Sequence, residues 1–400
     1  MKVKYLIIGA GVAGLSFAAT LKKHGEDSFL ILEKENEAGG LCRSTICNDA
    51  PIDTGGGHIL DVRNQQALDF LFFYMPEEEW NIYNRNTKII IGDNIVGYPL
   101  EANIWQFPQE LQLDYLESIA RVQSENRNEM PEKFLDWVYW KLGDKIAQTY
   151  MIPYNTKMWS LNDLNELGTY WLYKLPDVSF RETLLSCLNK SPSGKIPAHA
   201  QFYYPKDTGY GEVFLRIAET IKDKINYNYI VSDIDTKSLT VNNEFSAKYI
   251  INTAPWHEFI TSFPADIQDR IGQLKYNSID IDYYSTDSYD TQTHWTYYAD
   301  INLPYHRVIH RDNIVNNSKG YWTETNSKRR TKRGESYWDN KYAYPLNTVN
   351  KPENIKEILD YMASFNILGL GRWGQWEHMN SDVAISHGIE LAYKLFSLIR

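Results

Sequence analysis

Cysteine is scarce in this chain: Cys42, Cys47 and Cys187 are all there are in 400 residues. None stands in a C-x-x-C pair, so no zinc ribbon or disulfide scaffold is expected, no metal site is assigned, and the sparse, odd set points to a reducing compartment. Long apolar runs are missing too, and none approaches the ~18 residues that a membrane span needs. The apolar run near the N-terminus reads as the first strand of the fold rather than a signal peptide, and a cytoplasmic protein is the expectation. Positive charge is in deficit, with a net charge of −10. Nucleic acid is therefore not an expected partner, because phosphate neutralisation needs basic surface. The one basic run, Lys328-Arg329-Arg330-Thr331-Lys332-Arg333, reads as a solvated loop or, more sharply, as a contact to substrate phosphate or an anionic surface. Internal repeats and low-complexity tracts are absent. Aromatics are plentiful at 14%; most serve packing, and the same residues suit a site that stacks a base or sugar.

The first forty-odd residues carry the sharpest signal. Lys4-Tyr5-Leu6-Ile7-Ile8 reads as a buried strand that runs into Gly9-Ala10-Gly11-Val12-Ala13-Gly14 and then a helix from Leu15 to Lys23. In a G-x-G-x-x-G turn, Gly9, Gly11 and Gly14 permit a tight turn, close approach of a pyrophosphate and close helix–strand packing. The helix N-terminus adds free N–H groups and a positive dipole end. A second strand, Phe29 to Leu32, ends on Glu33, 22 residues past Gly11, where a carboxylate can take ribose hydroxyls, with Lys34 beside it. Gly39-Gly40-Leu41-Cys42-Arg43 follows and resembles the second fingerprint of FAD enzymes of the amine oxidase and glutathione reductase kind, in which Gly40, Leu41 and Arg43 approach the cofactor. FAD is the expected cofactor.

The expected fold class is α/β. A discontinuous Rossmann-like FAD-binding unit takes residues 1–85, 190–260 and 346–400, a helical insertion takes 101–180, and an antiparallel substrate-binding sheet takes 86–100 and 261–345. Within this plan, Lys88 to Val96 reads as a hairpin around Gly92-Asp93-Asn94. Leu111, Leu113, Leu116, Ile119 and Val122 form a helical stripe, and Pro131 to Trp137 a helix start. Glu212 to Lys222 reads as a helix; Tyr229 to Ile234, Ser238 to Val241 and Lys248 to Asn252 read as strands. Asn366 to Leu370 is a strand, Gly371-Arg372 a turn, and Asp382 to Phe396 a helix. Asp382 and Val383 begin that helix, whose N-terminus would stabilise negative charge on a reduced flavin.

Several downstream segments together resemble the UDP-galactopyranose mutase family. Tyr154-Asn155-Thr156-Lys157-Met158-Trp159 is similar to its Y-T-x-K-x-W segment, which implies that Tyr154 and Trp159 flank a uracil. Leu303-Pro304-Tyr305-His306-Arg307-Val308-Ile309 is similar to V-P-Y-T-R-I-I, which implies a diphosphate contact for Arg307. Tyr342-Ala343-Tyr344-Pro345 is similar to Y-Y-P-V, placing Tyr344 at the leaving group, and Gly57-His58 resembles the G-A-H segment whose histidine lies near the flavin. Lys174-Leu175-Pro176 stands where the family has a second diphosphate arginine before I-P, and His378-Met379 where it has two tyrosines. Asp61 replaces a histidine. The loop after Arg372 reads Trp373-Gly374-Gln375-Trp376-Glu377, with Trp376 a candidate substrate contact.

The resemblance implies a nucleotide-sugar substrate and reduced FAD, whose N5 forms a covalent adduct with the anomeric carbon during pyranose–furanose exchange in polysaccharide precursor synthesis. His58, Arg307 and Tyr344 are the implied catalytic residues. The same FAD half also supports the alternative of an oxidoreductase of the amine oxidase or protoporphyrinogen oxidase type. Trp373 and Trp376 facing the flavin as an aromatic cage would mark that alternative. A third reading is a flavin-binding scaffold without activity. The assembly is open, with a homodimer the expected form if the chain associates.

Overall fold

The computed structural model describes residues 1–124, 129–172, 179–192, 200–286 and 292–397. The Lys2–Ile8 strand lies in parallel between Phe29–Leu32 on one side and Phe245–Asn252 on the other. Ile225–Asn226 extends the sheet beyond Phe29–Leu32, and Ile367–Gly369 joins the C-terminal half of Phe245–Asn252, also in parallel. The strands alternate as period-two burial on both faces requires. Tyr5, Ile7, Phe29 and Ile31 enter one apolar cluster, and Leu6, Ile8, Leu30 and Leu32 the opposite one.

Val12–Lys23 and Ser381–Ser397 cover the first face and cross closely at Gly388, where a Cβ would stand 2.2 Å from Ser16 Oγ. Ala265–Gln273 and Lys351–Ala363 pack together on the second face, around Ile267, Ile271, Ile358 and Met362.

A second seven-stranded sheet runs in the order Ser336–Pro345, Tyr276–Tyr284, Tyr321–Asn326, Tyr305–His310, Trp295–Tyr298, Thr87–Ile91, Asn94–Gly97. Its pairings are antiparallel except that of Trp295–Tyr298 with Thr87–Ile91, which is parallel, so the sheet is mixed. A third core joins Ile89, Ile91 and Val96 of this sheet to the helices Gln109–Ser124, Phe134–Ile146 and Ile152–Trp159. In the first of these helices Ile119 is buried and Leu111 packs on the core as expected, while Leu113 is exposed and Tyr115 is buried in addition.

Residues 229–233, expected as a strand, join no sheet. Tyr229 N–H donates to Glu33 O, and Ser232 and Asp233 N–H both donate to Asn242 Oδ1. The backbone is satisfied by loop contacts, and strand pairing begins only at Ile234–Asp235. Among the described residues no helix is long and apolar enough to cross a membrane, and no group of three His, Cys, Asp or Glu side chains is placed to hold a metal.

Candidate active site

A cavity of about 350 Å³ opens at the carboxyl ends of the parallel strands, where Ile8, Leu32 and Leu370 line it. This is where ligands bind in open α/β sheets. Gly9 turns the chain with φ +100°, and a Cβ there would stand 2.5 Å from Thr253 Oγ1. Gly14 packs the helix onto the turn, since its Cβ would meet Gly9 O at 2.2 Å. The second glycine pair docks on the first: Gly39 N–H donates to Ala10 O, and a Cβ on Gly40 would stand 3.2 Å from Gly11 Cα. The Val12–Lys23 helix thus begins at the cavity wall, and no side chain caps its first turn.

Glu33 is buried at the cavity wall. Its carboxylate accepts the Ala10 N–H at 2.6 Å and the Glu35 N–H at 2.9 Å, while burial pushes its pKa upward against those bonds. Lys34, Leu41 and Arg43 line the same space, with Arg43 Nε–H donating to Gly40 O at 3.1 Å. Backbone N–H groups at a helix start, an open glycine cradle and a buried carboxylate fit the pyrophosphate and ribose of the FAD that the motifs imply.

A second cavity, of about 250 Å³, adjoins the first. His58, Arg372, Asn380 and Ser381 line both. His58 Nδ1 donates to Gly56 O at 2.9 Å, because a carbonyl can only accept, and this leaves Nε2 as the acceptor of the ring. Burial, with Arg372 and Arg307 nearby, pushes the imidazole down to about 3, so it is neutral at pH 7. Arg372 is fixed by its own turn. Nε and one terminal nitrogen donate to Met379 O, the other terminal nitrogen donates to Ala343 O, and the guanidinium lies 5.2 Å over the Tyr344 ring. Gly371, at φ +72°, makes room for Ala13.

The second cavity is cationic. Arg85, Arg307 and Arg372 line it, and Asp53 is the one acid among its described lining residues. Aromatic rings of Tyr154, Tyr204, Trp295, Tyr297, Trp322 and Tyr344 also line it. Arg85 is held over the rings of Tyr98 at 4.1 Å and Trp295 at 4.9 Å. Arg307 Nε–H donates to Glu324 Oε2 at 2.6 Å, and that carboxylate is 1% exposed. Burial alone would lower the pKa of Arg307; Glu324 and the neighbouring phenols raise it well above the usual value, so it stays charged.

The positions expected from sequence fall into three groups. Gly9, Gly11, Glu33, Lys34, Gly40, Leu41, Arg43, Gly371 and Arg372 line the first cavity, and Gly57, His58, Tyr154, Arg307 and Tyr344 line the second. Gly14, Asp382, Val383 and Trp159 stand behind the walls. Asn380, Ser381 and Ala384 take the place expected for Asp382 and Val383, and Asp382 instead lies against Asn64 Nδ2 at 3.3 Å. Trp159 is buried, its Nε1–H on Asn155 Oδ1, with its edge toward Tyr344 and His378. Trp376 is a correction. It is 0% exposed in the apolar cluster of Trp256 and Ile355, against His257 and Trp373, so it lines neither cavity; of the two tryptophans only Trp373 reaches the first, and the pair forms no cage there. Lys174 lies outside the described residues. Asp61 is turned away into a fork with Arg63.

Sequence reading missed Arg85, His306 and Glu324, and named His378 only as a departure from the family pattern. His378 stacks on Tyr344 at 4.9 Å and 24°. Lys157 pins the Arg307 strand by donating from Nζ to Tyr305 O, and burial pushes its ammonium down to about 7. The basic run is largely spent within the protein: Arg330 pairs with Asp280 and Arg333 with Asp339.

Residues 7–72 match the family model described as an NAD(P)-binding Rossmann-like domain. UDP-galactopyranose mutase of Mycoplasma pneumoniae is 30% identical over 96 residues, a match that takes in 24% of this chain and 23% of that one. UDP-galactopyranose mutase of Mycoplasma genitalium is 21% identical over 420 aligned positions, spanning 98% of this chain and 94% of that one. The crystal structure of reduced UDP-galactopyranose mutase superposes with a TM-score of 0.91 at 21% identity, covering 100% of this chain and 94% of that one. The chain thus resembles UDP-galactopyranose mutase over its whole length and shares its fold.

Proposed function

We propose that this chain is a flavin-dependent mutase that interconverts the pyranose and furanose forms of a nucleotide sugar, supplying polysaccharide precursors. The observation that carries this reading is the seam of His58, Arg372, Asn380 and Ser381, where a dinucleotide cradle opens into a cleft that, among the described residues, is lined by three arginines and six tyrosine and tryptophan rings. A diphosphate suits Arg307 and Arg85, since guanidinium offers paired donors to anionic oxygens. A base suits the faces of Tyr154 and Tyr297. When bound, reduced FAD would supply the nucleophile for the anomeric carbon and leave no net redox change.

The chain's own groups do the rest. Arg307 holds the departing diphosphate, with Tyr344 orienting it. The neutral His58 offers an acceptor at Nε2 rather than a competing cation. The N-terminus of Ser381–Ser397 favours negative charge at the seam. An amine oxidase role is poorly served here, because an ammonium entering the second cavity would meet three guanidinium groups and Trp376 is walled into the core.

The test is anaerobic. Dithionite-reduced protein is offered a panel of UDP- and dTDP-sugars, and products are separated by chromatography with mass detection. One sugar should give an isomer of unchanged mass while the flavin stays reduced. Turnover only with oxidised flavin and oxygen would overturn the reading.

A further inference from the structure

Glu324 touches both halves of the site. It lies on the Tyr321–Asn326 strand, directly across from Arg307 in the sheet register, and is 1% exposed. One oxygen, Oε1, accepts the Gly57 N–H at 2.9 Å. The other, Oε2, accepts the Nε–H of Arg307 at 2.6 Å and pairs with a terminal nitrogen of the same guanidinium. The glycine turn is shaped to this carboxylate. Gly56 sits at φ +104°, and a Cβ there would stand 3.0 Å from Oε1. The next residue after Gly57 is His58, whose ring lines both cavities and is tied back to Gly56 O. Among the described residues the other ionisable neighbours are His306, with Nε2 3.8 Å from Oε2, and the Tyr154 phenol, which also feels the carboxylate charge.

We propose that Glu324 is a positioning residue that couples anion binding at Arg307 to the flavin. An anion arriving in the second cavity competes with Oε2 for the guanidinium. As Arg307 turns toward the anion, the carboxylate charge is left to the Gly57 N–H and the turn that places His58 at the seam. A coupling of this kind is reciprocal: the redox state of the flavin must alter anion affinity by the same factor by which the anion alters the flavin. The inference rests on the flavin reading of "Proposed function" and adds to it a residue that contacts neither substrate nor cofactor.

The experiment uses the full chain with FAD bound and inorganic pyrophosphate as the probe. Calorimetry gives pyrophosphate affinity for the oxidised and the dithionite-reduced protein, and the visible flavin spectrum is followed during each titration. In the unaltered protein the two affinities should differ at least threefold, with a saturable change in the flavin spectrum. In Glu324→Gln the amide oxygen still accepts from Gly57, but its NH2 faces the Arg307 donors, so the link is cut on one side only. That variant should keep FAD and still bind pyrophosphate, while the affinity ratio falls to about one and the spectral change is lost. An unchanged ratio in the variant overturns the proposal. So does a ratio of one in the unaltered protein when pyrophosphate binds, a result that needs no variant to fold. Failure to hold FAD or to bind pyrophosphate at all would instead overturn the flavin and anion reading on which the proposal stands.

Discussion

Asp53 shows how burial decides chemistry at single residues. Its carboxyl is 0% exposed and receives donors from Ser44 Oγ, the Tyr204 hydroxyl and the Tyr210 N–H, yet burial pushes it up to about 6. An acid whose folded pKa lies above its unfolded value favours the fold while protonated. Its contribution is full below about pH 4 and is lost as pH rises through about 6. His58, pushed down to about 3, acts oppositely: its contribution is present above about 6.5 and lost as pH falls toward 3. Asp53→Asn removes the first effect and leaves the second. The stability of the unaltered protein relative to this variant should therefore be about 2 kcal/mol more favourable at pH 4 than at pH 7, read from urea unfolding at the two pH values. The glycines and Glu33 were legible because their spacing encodes a backbone requirement. Trp376 was not, because an aromatic in a glycine-rich loop reads the same whether it lines a cavity, as Trp373 does, or enters the core, as Trp376 does.

Elements placed the remaining site residues in ways that periodicity does not encode. Strict alternation along Tyr305–His310 would send His306 and Arg307 to opposite faces, but the register against Tyr321–Asn326 shifts between Tyr305 and Arg307, and both line the second cavity. A bulge re-aims side chains in this way and leaves no mark in a single sequence. The parallel neighbour of Trp295–Tyr298 was equally hidden, since its partner Thr87–Ile91 lies some two hundred residues earlier. The final strand–glycine–helix unit was legible, and its packing makes a firm prediction. Val12–Lys23 and Ser381–Ser397 both begin at the first cavity and touch where Gly388 meets Ser16 and the Ala13 carbonyl. Gly388→Leu would force the two helices apart at a cost of about 1–3 kcal/mol. The variant should purify with less bound flavin and melt at a lower temperature, checked by the visible absorbance per chain and by a thermal scan. Gly25→Ala, where a Cβ meets nothing within 4 Å, is the control for a glycine replaced elsewhere, its left-handed φ of +80° costing strain without a clash.

Across the whole molecule, three cores meet at two cavities, and the division of labour between them is uneven. The first cavity draws on residues 8–58, 229–259 and 339–384, so a dinucleotide bound there cross-links pieces from both ends and the middle of the chain. Among the described residues the helices of the third core contribute nothing to that cavity and only Tyr154 and Met158 to the second. The discontinuity was legible because parallel strands recur at 248–252 and 367–369 after the N-terminal βαβ unit; where the cavities would meet was not, because that depends on how the two sheets are set against each other. A ligand stabilises the elements it binds in proportion to its affinity for the folded form, by about 2.7 kcal/mol at a hundredfold excess over Kd. FAD added to apoprotein should therefore slow amide exchange in Lys2–Ile8, Val12–Lys23 and the start of Ser381–Ser397, and leave Gln109–Ser124 and Phe134–Ile146 unchanged. UDP added afterwards should protect Ile152–Trp159 and Tyr305–His310 instead, since Tyr154, Met158, His306 and Arg307 line the second cavity and not the first. Hydrogen exchange read by mass spectrometry separates the two patterns. Protection of the helical core by FAD alone would mean that the two cavities are one cooperative unit, and uniform protection by UDP would place its site elsewhere than the arginine-lined cleft.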